Sequence, residues 1–191
     1  MGTRKVYLLF SDTGTLLTRA INICTNSTLN HASIALDEGL QEVYSFGRKS
    51  PRNPFIGGFV KEDLRIPFFN KAKCAVYSFS VSDLEFNKIR KIIYEMEANK
   101  SEYRYNVLGL FGVFINKELE RKNAFFCSQF IATILSDCGI YENKKPHCLT
   151  KPQDLRQWYQ LKLIYQGDLS SYLTSAESAS TIITEKQLNL V

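Results

Sequence analysis

Residues 29–46 read Leu29-Asn-His-Ala-Ser-Ile-Ala-Leu-Asp-Glu-Gly-Leu-Gln-Glu-Val-Tyr-Ser-Phe46. His31–Leu36 is a short run of small and β-branched residues, Asp37-Glu-Gly39 is a turn, and Gln41–Phe46 is a second run. Two strands joined by so short a loop make a hairpin, and a hairpin makes the sheet antiparallel. Upstream, Lys5–Phe10 is an apolar, β-branched run that suits a buried strand, broken by Ser11-Asp-Thr-Gly14. Leu16, Leu17, Ala20, Ile21 and Cys24 then recur at helical spacing, so Thr15–Cys24 reads as a helix, followed by a polar turn at Asn26–Asn30.

Downstream, residues 47–70 hold Gly47, Pro51, Pro54, Gly57, Gly58 and Pro67. That density predicts a long irregular excursion. Lys73–Val81 is a fourth strand. Ser82 with Glu85 three residues later is a capping box, and Phe86, Ile89, Ile92, Ile93 and Met96 form the buried stripe of the helix it opens. Ser101–Tyr105 is a loop, Asn106–Ile115 a short apolar helix and Lys117–Asn123 an exposed charged stretch. Phe125–Cys138 is a helix ended by Gly139, Pro152–Tyr159 a short helix opened by its proline, and Leu161–Tyr165 a last strand. The expectation is one α+β domain over residues 1–168, with an antiparallel sheet packed on the 125–138 helix. Residues 169–191 form a Ser/Thr-rich tail suited to weak packing or to a protein partner.

Composition narrows the function classes. The chain has 191 residues, 45% hydrophobic and 23% charged, which excludes disorder and leaves room for a real core. No apolar run reaches the length of a membrane span. The apolar run after the basic start ends at Asp12, too short for a secretory signal, so a cytoplasmic location is expected. Five cysteines, an odd number without a Cys-x-x-Cys pair, read as reduced thiols. Cys138, His147 and Cys148 fit no common zinc spacing, so no metal or other cofactor is expected. The net charge is +5, with no block of five bases and no nucleic-acid motif, so no nucleic-acid partner is expected.

The chemistry-bearing pair is Cys127 and His31. Cys127, in Asn123-Ala-Phe-Phe-Cys-Ser-Gln-Phe130, falls in the first turn of its helix, where the dipole favours a thiolate. It also shares a helical face with Ile131, Leu135 and Cys138, the setting of a packing thiol. His31 opens a strand after a polar turn, a place from which a ring can enter a cleft at the sheet's end. His147, the other histidine of the chain, lies in a basic loop. An imidazole paired with a thiol needs a third group to orient it. Glu42 is the first choice, with Tyr44 on the same strand face and Glu62 from the long loop as alternatives. Asp12-Thr13-Gly14 matches the aspartic-protease tripeptide, but such a site needs two carboxylates and the sequence holds one copy.

Three stretches together resemble the circularly permuted NlpC-type papain-like cysteine hydrolases, in the branch that includes the YiiX-like proteins. They are Leu8-Leu-Phe-Ser-Asp-Thr-Gly14 with the helix after it, Leu29–Asp37, and Phe126-Cys-Ser-Gln-Phe-Ile-Ala-Thr-Ile-Leu135 followed by Gly139-Ile140. Lys151-Pro-Gln-Asp-Leu155 is similar to a stretch that follows the cysteine helix in that branch. The resemblance covers roughly Val6 to Ile164, with insertions between Arg48 and Asn70, and its specificity lies in the order of the motifs. It implies a permuted papain-like fold, Cys127 as nucleophile, His31 as base, and a third polar group from the strand after the histidine strand, Glu42 or Tyr44. The implied activity is hydrolysis of an amide-containing substrate of the peptide or peptidoglycan type. Transfer to another acceptor through a thioester, or a non-catalytic module on the same scaffold, are the alternatives. The Cys127 amide and a donor from Ser11–Thr13 would hold the oxyanion, and Arg48, Arg52 and Phe59 would line the cleft.

Overall fold

The structure is a computed structural model that describes residues 2–12, 28–50, 53–142 and 144–188. Six strands form one sheet: β1 (Thr3–Asp12), β2 (His31–Ala35), β3 (Val43–Ser50), β4 (Asn53–Glu62), β5 (Lys73–Ser82) and β8 (Lys162–Asp168). Their spatial order is β4-β3-β2-β1-β5-β8, and every neighbouring pair is antiparallel. The helices are α1 (Asp83–Ala98), α2 (Val107–Phe114), α3 (Cys127–Asp137), α4 (Pro152–Arg156) and α5 (Leu169–Leu188). A separate two-stranded parallel ladder, β6 (Arg104–Tyr105) with β7 (Ala124–Phe125), lies beside the sheet. The class is therefore α+β with a central antiparallel sheet, as the hairpin at 31–46 implies. The proposed helix at Thr15–Cys24 lies outside the described residues. Among the described residues no helix is long and apolar enough to cross a membrane.

Strand β1 explains why its sequence is apolar without alternation. It is central, so both faces are covered. Val6, Leu8 and Phe10 join a cluster with Phe86, Ile89 and Ile93 of α1 and Phe130, Ile131, Ile134 and Leu135 of α3. Tyr7 and Leu9 face the other way, into a cluster with Leu169, Tyr172 and Leu173 of α5. Burial of each such side chain is worth on the order of 1.5–3 kcal/mol. The capping box at Ser82 is present: Ser82 Oγ accepts from the Glu85 N–H, and the Glu85 carboxylate accepts from the Ser82 N–H at 2.7 Å.

Two expectations need correction. Residues 47–50 and 53–62 are strand: β3 runs on to Ser50 and pairs with β4 through Gly47↔Gly58 and Val43↔Glu62, with a register shift between Arg48 and Ser50. The glycines serve close approach. A Cβ on Gly57 would stand 2.8 Å from the Gly47 carbonyl oxygen and 2.7 Å from Tyr105 Cβ. Pro54 lies on an edge strand, the part of a sheet in which proline is found. The second correction concerns residues from 169 onward. They begin as a helix whose first turns are core, with Leu169 fully buried. Tyr172 Oη donates to the Glu38 carbonyl at 2.9 Å, and Arg65, whose guanidinium also donates to the Gly39 and Leu40 carbonyls, donates from Nε to Glu177 Oε1 at 2.8 Å, which lashes α5 to the β2–β3 turn. The start of this segment is part of the domain.

Candidate active site

Sheet register decides which carboxylate meets His31. Directly opposed residues of an antiparallel pair share a face, and residues two apart along a strand share it too. Ala35 opposes Val43, and Val43 opposes Glu62. His31, Ser33, Ser45 and Glu62 therefore lie on one face. Their hydrogen bonds close the set: Glu62 Oε1 contacts His31 Nε2 at 2.7 Å and accepts from Ser45 Oγ at 2.7 Å, while Oε2 accepts from Ser33 Oγ at 2.7 Å. The Glu62 side chain is 9% exposed.

Glu42, the first choice from sequence, is not against the imidazole. Tyr44 opposes Ile34, so Glu42 and Tyr44 share a face as expected, but it is the face opposite His31. The Glu42 carboxylate instead accepts from Tyr94 Oη of α1 at 3.3 Å. Tyr44 is fully buried and stacks on Phe59 at 6.0 Å. Phe59 is likewise core, 1% exposed, and lines no cleft. The Arg48 side chain, Arg52 and Thr13 lie outside the described residues. Ser11 opposes His31 across β1–β2, and its buried Oγ has no hydrogen-bond partner among the described residues.

Cys127 reaches the same place from the other layer. It is the first residue of α3, and Phe126 at the N-cap offers no side-chain acceptor, so the first amides are not used up by a cap. Ser128 Oγ donates to the Thr150 carbonyl at 2.7 Å, and Gln153 Nε2 to Asn30 Oδ1 at 2.9 Å. These bonds tie the head of β2 and the start of α3 to the 147–156 segment. The Cys127 thiol donates to the Asn30 carbonyl oxygen at 3.9 Å, and the His31 ring and the Ala32 and Ser128 amides lie close enough to act on the sulfur. With Nε2 held by Glu62, Nδ1 is the ring nitrogen left for sulfur. Cys127 is 6% exposed and the His31 side chain 20% exposed, so the imidazole edge opens the pair to solvent.

The electrostatics of the three groups are mutually reinforcing. Burial alone would lower His31, but the Glu62 charge and the hydrogen bonds to Cys127 and Glu62 outweigh it and raise the imidazolium from 6.5 to about 10. Burial alone would raise Glu62; the His31 charge and the bonds from His31, Ser33 and Ser45 hold it below its ordinary value. Burial alone would raise Cys127 as well, yet the His31 contact and the Ala32 and Ser128 amides bring it below the ordinary thiol value. The other described cysteines go the opposite way. Burial lifts Cys148 to about 11 and Cys74 to about 12, and it raises Cys138 too. A thiolate beside an imidazolium is a nucleophile with its proton donor in place.

No family model matches the sequence, and no curated protein matches it.

Proposed function

We propose that this chain is a thiol-dependent hydrolase of amide bonds on a papain-like fold in permuted order. Cys127 is the nucleophile, His31 its proton partner and Glu62 the group that orients the ring. The observation that carries the proposal is the set Cys127–His31–Glu62: a thiol at a helix start without a side-chain cap, in contact with an imidazole whose other nitrogen is held by a buried carboxylate. The order of elements, with the histidine at a strand head and the cysteine much later at a helix start, supports it further.

The thiolate attacks the carbonyl carbon of an amide, forming the C–S bond. The Cys127 amide, at the start of α3, is the proposed donor to the oxyanion that develops. His31 gives its proton to the leaving nitrogen, and the C–N bond breaks. Water then attacks the thioester, His31 takes a proton from it, and the acid leaves with regeneration of the thiolate. Glu62 keeps the ring oriented and stabilises its positive charge throughout. Peptides and peptidoglycan-type fragments are the proposed substrate class. The proposed setting is the cytoplasm, where thiols stay reduced; the four described cysteines are free.

The test is release of amine from a panel of short peptides and muropeptides, followed against pH. Turnover is expected to rise below the ordinary thiol range as Cys127 ionises. It should stay high through neutrality and fall as His31 loses its proton near 10. A hydroxyl or amine acceptor that raises turnover would redirect the assignment to acyl transfer. No turnover, together with a Cys127 thiol as slow as a free cysteine's, would make the scaffold a binding module.

A further inference from the structure

The ladder that carries His31 is lopsided. β1 pairs with the whole of β2, from Tyr7↔Ala35 to Ser11↔His31, whereas β3 pairs with β2 only at Ile34↔Tyr44 and Ala35↔Val43. Among the described residues, the head of β2 with His31 and Ser33 is therefore laddered to β1 alone. The imidazole nevertheless leans towards β3. A Cβ on Gly47 would stand 3.7 Å from His31 Cε1. Side chains take over there from the backbone. Glu62 reaches across from β4, and its carboxylate meets His31 and Ser33 of β2 and Ser45 of β3.

The two serines hold different oxygens. Ser45 Oγ donates at 2.7 Å to Oε1, the oxygen that also meets His31 Nε2 at 2.7 Å, and Ser33 Oγ donates at 2.7 Å to Oε2. With a donor on each oxygen, the carboxylate cannot turn about its last bond without giving one up. Packing alone does not ask for hydroxyls at these positions. Ala35 and Val43, two residues along on the same face, and Leu9, which opposes Ser33, belong to the apolar cluster with Leu169 and Tyr172 of α5. Both serines are completely buried, so water does not compete for their bonds. His31 is the charge that bears on Glu62, and Cys127 of α3 acts on it through the imidazole. Tyr7, which opposes Ala35, is turned to Glu38 instead.

We infer that Ser33 and Ser45 are positioning residues: their hydroxyls clamp the Glu62 carboxylate across β2 and β3 and so hold Oε1 on His31 Nε2 where the backbone ladder has stopped. The inference rests on the site proposed above and adds the two groups that keep its orienting carboxylate charged and aimed. Both bonds are made to the ionised form, so losing them favours the protonated acid.

Nitrogen-15 chemical shifts of the His31 ring, followed against pH, test it. Comparison with His31→Ala assigns the ring against His147, the other histidine. The ring reports its own titration as a large step and that of the adjoining Glu62 as a small one. In wild type the small step is expected below 4.5. In Ser33→Ala/Ser45→Ala it should move up by about one pH unit, a tenfold gain in proton affinity, and by part of that in each single variant. Ser33→Thr keeps the donor and should keep the wild-type position. A role in packing alone would lower the melting temperature and leave the step in place. The inference is overturned if the double variant titrates like wild type, or if Ser33→Thr moves the step as far as Ser33→Ala. Should the double variant not fold, the single variants decide by the same criterion. Alkylation of wild-type Cys127 with iodoacetamide keeps the two readings apart. A reactive thiol with a serine-independent step overturns the clamp alone. A thiol as slow as a free cysteine's, with a serine-dependent step, overturns the thiol chemistry and leaves the clamp standing.

Discussion

His31→Ala is expected to cut amide turnover by about four to six orders of magnitude, the loss seen when one member of a nucleophile–base unit is removed. Two effects combine. The leaving nitrogen loses its proton donor, and the thiol loses the charge that keeps it ionised. With the imidazole gone, burial of Cys127 is opposed only by the Ala32 and Ser128 amides. The thiol of Cys148, buried without an imidazole partner and beside Glu120, shows the direction of the change, at about 11. Alkylation by a small electrophile near neutral pH should slow less, by about tenfold to a hundredfold, because a more basic thiolate is also a better nucleophile. Mass spectrometry of the labelled peptide separates Cys127 from the other cysteines. Equal labelling rates in wild type and variant would break the link between the two residues.

Glu62→Gln should be the second most damaging change. Glutamine keeps the shape but not the charge, and with its oxygen facing His31 and Ser45 its amide nitrogen presents a donor to the Ser33 hydroxyl, which in the wild type donates to Oε2. Burial then acts on His31 with only Cys127 left to oppose it, and the imidazole comes down. The ion pair collapses to neutral thiol and neutral ring, and turnover falls by about two to four orders of magnitude. Stability should fall as well. Removing one partner of a buried ion pair costs about 3–5 kcal/mol, and Glu62→Ala is the variant that exposes this cost.

The pH dependence of stability separates the two partners. Glu62 titrates below its ordinary 4.5 in the fold. Its contribution is therefore complete above that value and is lost as pH falls through the folded one. His31 titrates above its ordinary 6.5, so its contribution is complete below 6.5 and is lost as pH rises towards about 10. Denaturant unfolding of wild type should show a stability plateau between these limits. Glu62→Gln should flatten the acid limb and shift the His31 limb down.

The parts of the fold legible in the sequence are those set by local pattern. The 31–46 hairpin, the Ser82 box and the Phe125–Cys138 helix each carry their own signal in turn residues, caps or apolar spacing. The β3–β4 extension was hidden because its glycines and Pro54 speak for a loop locally. Only pairing across β3, with Gly57 pressed against Gly47 and Tyr105, makes them strand residues. The same cause obscured the third site residue. Glu62 looks like a loop glutamate until β4 exists, whereas Glu42 falls in the Gln41–Phe46 run that reads as a strand, though β3 begins only at Val43. One parity argument was available. Matching the Ala35 end of β2 to Val43 puts Glu42 and Tyr44 on the wrong face and Ser45 on the right one. Ser33 and Ser45, small hydroxyl residues on the His31 face, were the signal that a buried acceptor stands between those strands.

The thiol chemistry rests on one ionisation. Difference ultraviolet absorbance between wild type and Cys127→Ser, titrated against pH, reports the Cys127 thiolate alone. Half-ionisation below the ordinary thiol value of 9.0, shifted upward in His31→Ala, is the expected result. A Cys127 thiol that titrates above that value, as Cys148 does, and is indifferent to His31→Ala, would contradict it.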